Sequence, residues 1–83
     1  MNTSYRELSA KEIIKEYYLL ALLDIVNGAS INELKDTIKL YENNEEYEAC
    51  AGILKALEIS KSLTLREIKN IIKKGDKSNT RIS

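Results

Sequence analysis

The chain has 83 residues, with 13 Lys and Arg against 13 Asp and Glu, no His, no Pro and one Cys. A chain of this length makes one domain and buries only about 60–65% of the surface its unfolded form exposes, a shortage of core that dimer formation would relieve. Zero net charge offers no general attraction to nucleic acid or anionic membrane, a lone Cys excludes an internal disulfide or Cys-cluster metal site, and the lack of His removes the commonest general base and metal ligand.

At the amino terminus Arg6, Glu7, Lys11, Glu12 and Lys15 stand where a signal peptide needs an unbroken apolar run, and Ser4–Leu8 has room for one short extra turn. Four pairs then repeat one signal: Ser9/Glu12, Ser30/Glu33, Asn43/Glu46 and Thr64/Glu67 each set a small oxygen-bearing side chain three positions before Glu. Such a pair caps two of a helix's free N–H groups, so four helix starts are expected.

The first helix is expected over 10–27, closed by Asn27-Gly28 in a left-handed cap. Its second half is apolar nearly all round, which marks a central helix surrounded by partners. Tyr17 to Val26 is interrupted by Asp24 and is about half a membrane span, so no transmembrane segment is expected, and the lone Cys50 suits a reducing, cytoplasmic compartment. The second helix, 31–41, carries Ile31, Leu34, Ile38 and Tyr41 on one stripe and packs by that face alone. The third, 45–59, sets Tyr47, Cys50, Ala51, Ile53, Leu54 and Leu57 on its expected core face and a low-relief strip of Ala49, Gly52, Ala56 and Ile59 opposite. The fourth, 65–74, points Leu65, Ile68, Ile71 and Ile72 inward and stops at Gly75, leaving 76–83 as a frayed basic tail. The fold class is all-α: one four-helix domain over 1–83 with short turns, the first helix central, and a helix-turn-helix-like order in helices one to three.

Functional residues are sought against plainer explanations. Asp24 lies in the densest apolar stretch and is expected to be buried and paired or to sit at a rim, since an unpaired buried carboxylate is costly. Gly52 inside a helix costs about 1 kcal/mol relative to Ala, which a close backbone approach would explain. The strip Ala49, Gly52, Ala56 and Ile59, with Tyr18 and Leu22 of the first helix, is accordingly the candidate protein interface, the alternative being an ordinary crossing inside the fold. Cys50 reads as a small buried hydrophobe lacking a base.

Charge is unevenly spread. Residues 1–60 hold six basic and eleven acidic side chains, and residues 61–83 hold seven basic and two acidic. Glu42, Glu45, Glu46 and Glu48 exceed what the helix dipole needs, do not match a Ca²⁺ loop, and could meet Arg66, Lys69 and Lys73 within the fold or between subunits. Those bases, with Asn70, Lys74, Lys77 and Arg81, carry the nucleic-acid alternative. The would-be reading helix opens Glu45-Glu46-Tyr47-Glu48 and would repel phosphate, and peripheral membrane contact lacks an aromatic anchor on the fourth helix.

The spacing of the first three helices resembles small regulatory domains of phages and mobile elements, and the four-helix plan with a basic tail resembles the helical immunity proteins that protect bacteria from their own membrane-active peptides. These resemblances rest on layout; the first implies a microbial or viral regulatory role, and the second, as an alternative, a bacteriocin-immunity-like protein acting at a membrane partner. The reading is a non-enzymatic regulatory or interaction module, without cofactor or metal, acting as a homodimer or docked on another protein.

Overall fold

The computed structural model describes the backbone of residues 9–80 and the side chains of residues 9–75; the turn considered for Ser4–Leu8, the side chain of Lys77 and Arg81 lie outside the described residues. Three capping pairs start three helices. In each, the hydroxyl accepts from the Glu N–H and the Glu carboxylate accepts from the cap N–H: Ser9/Glu12 at 3.2 and 2.9 Å before α1 (Ala10–Val26), Ser30/Glu33 at 3.1 and 2.8 Å before α2 (Ile31–Asn43), and Thr64/Glu67 at 3.2 and 2.9 Å before α4 (Leu65–Thr80).

The fourth pair does not form. Asn43 is the last residue of α2, and α3 (Tyr47–Ser60) begins after Glu46 with no side-chain cap. The physical reason is how α2 ends. Glu45 takes φ 60°, its N–H donates to the Glu42 carbonyl at 3.0 Å, and the Glu46 N–H donates to the Tyr41 carbonyl at 2.8 Å. This doubly bonded closure satisfies the last carbonyls of α2 and keeps Asn43 helical. The same closure ends α1, where Gly28 at φ 100° donates to Ile25 and Ala29 donates to Asp24. There Gly occupies the left-handed position, while after α2 that position is filled by Glu.

All four described elements are helices, and α1 with α3 forms the most extensive contact; α2 packs mainly on α3, and α4 mainly on α1. The Cα trace measures 41 × 38 × 17 Å, a slab about two helices thick. Its interior is Ala21, Leu22, Leu34, Ala49, Ile53, Ala56, Leu57 and Ile68, with Leu22 and Ile68 the largest fully enclosed side chains.

The buried side of α3 is turned relative to the expectation. Ala49, Gly52, Ile53, Ala56 and Leu57 face inward, whereas Tyr47, Ala51 and Leu54 are exposed and Cys50 is half-buried. Gly52 explains the rotation. A Cβ added there would overlap the Ile14 carbonyl oxygen and lie 2.9 Å from both Tyr17 Cβ and Tyr18 N, so α1 and α3 cross backbone to backbone and only the small-residue strip fits. Gly75 does not end α4, and it faces a side chain rather than a backbone. The helix continues to Thr80, and a Cβ at Gly75 would stand 3.0 Å from Leu19 Cδ1.

Candidate protein-docking groove

On one flank of the α1–α3 crossing lies an open groove of about 520 Å³. Ile13, Tyr17 and Leu20 recur on α1 at spacings that share one helix face and, with Ala49 of α3, make its apolar floor. Glu16 of α1 and Glu45, Glu46 and Glu48 at the start of α3 make the rim. The turn after α2 sets the second group, because the left-handed Glu45 reverses the chain so that three glutamates arrive beside α1. Leu20 remains 49% exposed although it lies in the chain's most apolar stretch.

The electrostatics of this flank are negative. Tyr17 packs edge-on against Tyr41 at 5.5 Å between ring centroids and 72° between planes. Its phenol is held above the ordinary 10.0 by burial first, then by Tyr41, Glu46 and Glu16. Cys50 is shifted up by burial, with Glu42 and Glu46 adding to it, and its thiol donates to the Ile38 carbonyl at 3.4 Å. A thiol held protonated and turned into a helix–helix contact is a poor nucleophile.

The opposite flank is cationic. Lys11, Lys15 and Lys55 surround Ile14 and Tyr18 in a second shallow groove, with Lys55 Nζ 5.0 Å above the Tyr18 ring. Burial raises the Tyr18 phenol as well.

The structure separates the expected interface residues. Tyr18 is half-buried beneath Lys55, and Ile59 is half-buried. Leu22, Ala49, Gly52 and Ala56 lie inside the fold, Leu22 at 0% exposure, because α1 itself occupies the small-residue strip. That strip is therefore an internal crossing and not a free face of this chain. Asp24 is exposed rather than buried, and its backbone carbonyl accepts the Ala29 N–H at 2.9 Å. Arg66, Lys69, Asn70, Lys73 and Lys74 are all exposed. No ion pair among the described residues joins these bases to Glu45, Glu46 or Glu48. An exposed pair between Lys61 and Glu58 at 3.5 Å is present instead.

Sequence reasoning found the acidic cluster but did not bring it together with Ile13, Tyr17 and Leu20. Their meeting depends on the α1–α3 crossing, whose only sequence signal is Gly52. Among the described residues no group of three or more His, Cys, Asp or Glu is placed to hold a metal ion, and no helix is long and apolar enough to cross a membrane. Comparison with family models, with characterised proteins and with solved structures finds no match to this chain.

Proposed function

We propose that this protein is a small non-enzymatic interaction module that works by laying helix faces against another protein chain, either a second copy or a larger partner. One observation carries the reading: the chain leaves apolar side chains in water on faces that its own helices do not cover. Leu20 on α1 and Tyr47 and Leu54 on α3 are 49%, 60% and 51% exposed, while eight apolar residues form the buried core. Tyr47, Ala51 and Leu54 follow helical spacing, and a small domain with too little interior gains most from such a stripe when another surface covers it. The protonated, half-buried Cys50 and the absence of a metal-ligand cluster among the described residues support a role without covalent or metal chemistry.

Sedimentation of the full chain from micromolar to hundred-micromolar concentration, together with affinity capture from its source cell, tests this reading. The expected outcome is mass above the 9.5 kDa monomer or a stoichiometric captured protein. A chain that stays monomeric throughout and captures nothing would refute it.

A second reading, contact with duplex nucleic acid, is favoured by the exposed cations Arg66, Lys69, Lys73 and Lys74 on α4, which no ion pair among the described residues engages. Neutralising Arg66, Lys69 and Lys73 should then abolish retention on duplex DNA at low salt; retention indifferent to these changes removes this reading.

A further inference from the structure

Two charged surfaces of this molecule are complementary and do not meet. The first is the groove whose apolar floor, Ile13, Tyr17, Leu20 and Ala49, is rimmed by Glu16, Glu45, Glu46 and Glu48. The second is the outer side of α4. Arg66, Lys69 and Lys73 follow one another at spacings of three and four, which sets them along one helix side over about 10 Å. All three are exposed, and no ion pair among the described residues engages them. Leu65, 55% exposed, begins the same helix and offers an apolar anchor beside them.

The chain's own α4 is held away from the groove. It rests on α1 at Leu19, whose side chain closes on Gly75, and at about 100° per residue Leu19 projects roughly 100–160° around the axis from Ile13, Tyr17 and Leu20. A helix seated on that side of α1 cannot also turn its outer cations into a groove on another side. Complementarity that one molecule cannot satisfy by itself can be satisfied by two.

We propose that the acid-rimmed groove receives the cationic side of α4 from a second copy of this chain, reciprocally, so that Arg66, Lys69 and Lys73 of each copy face the glutamates of the other and Leu65 reaches the apolar floor. This rests on the interaction reading above and names its occupant. The apolar floor supplies burial, and the charges set orientation and exclude a copy docked the wrong way round. Because the rim is solvated, the pairing is sensitive to salt: the screening length falls from about 10 Å at 0.1 M to about 3 Å at 1 M ionic strength.

The test is a charge exchange on the full chain, read by sedimentation equilibrium. Wild type is expected to dimerise at low salt and dissociate as salt rises. Glu16→Lys with Glu48→Lys in one variant, and Lys69→Glu with Lys73→Glu in another, should each weaken self-association on the order of a hundredfold by placing like charges across the interface. Mixed in equal amounts, the two variants should form a heterodimer, because each then offers the other a complementary surface. All four positions are exposed, and unchanged helical circular dichroism confirms that each variant folds.

Wild type that remains monomeric at hundred-micromolar concentration and low salt overturns the proposal. So does a mixture that fails to reassociate, or a dimer indifferent to both reversals; that last result leaves the broader interaction reading standing and removes this pairing alone. Monomeric wild type retained on duplex DNA through Lys69 and Lys73 assigns the α4 surface to nucleic acid instead.

Discussion

At Gly52 a methyl group would need space held by the Ile14 carbonyl oxygen and by Tyr17 Cβ and Tyr18 N, the latter two at 2.9 Å. Ala has the better helix propensity by about 1 kcal/mol, but overpacking a closed crossing costs about 3 kcal/mol or more where, as here, the atoms met are backbone and cannot rotate aside. Gly52→Ala should therefore lower stability, read as a lower urea midpoint, whereas Ala51→Gly on the exposed side should lose only about 1 kcal/mol. A Gly52→Ala protein as stable as wild type would show that the two helices do not touch so closely. Tyr17 yields a second expectation. Its phenol is raised above the ordinary 10.0, first by burial and then by Tyr41, Glu46 and Glu16, so the unfolded chain loses that proton at lower pH than the folded one. This contribution is fully present below pH 10 and is lost as pH climbs through the higher folded value. Denaturant midpoints should decline above about pH 10 and decline less in Tyr17→Phe, with the raised Tyr18 and Cys50 accounting for part of what persists.

Single helices depend on how they begin and end. Ser30 supplies one half of the reciprocal cap on α2, with bonds of 3.1 and 2.8 Å, so Ser30→Ala should cost about 1 kcal/mol in chemical denaturation. These caps were legible in the sequence because they are made within four residues: Ser9, Ser30 and Thr64 each announced a helix correctly. Asn43 carried the same local pattern and misled, since the competing closure through Glu42, Glu45 and Tyr41 consumed the turn first, with a Glu where Gly would be expected. The facing of α3 was not legible for another reason. Apolar periodicity counts large side chains, while the tightest crossing selects the smallest ones, so Ala49, Gly52 and Ala56 looked like the spare side and Tyr47 and Leu54 like the core. The all-apolar turns of α1 gave no direction to correct this. The groove inherited the same blindness, because Glu45, Glu46 and Glu48 reach Ile13 and Tyr17 only once that crossing is known.

The whole molecule is organised around the α1–α3 pair, with α2 seated mainly on α3 and α4 mainly on α1. Native-state amide exchange should accordingly be slowest for Ala21, Leu22 and Ile53, and the outer helices should open in separate steps. Weakening the α2 cap with Ser30→Ala should speed exchange in α2 and leave α4 amides unchanged; equal acceleration in both would mean that the outer helices are coupled. The seating of α4 carries one more consequence. It is fastened along a single side, at Leu19 and Gly75, while its cations point outward as something for another molecule to seize. A grip strong enough to pry that helix loose would strip the cover from Leu19 and pull Ile68 out of the interior. Whatever holds this protein by its last helix must therefore hold it gently, or it takes hold of an unravelling chain.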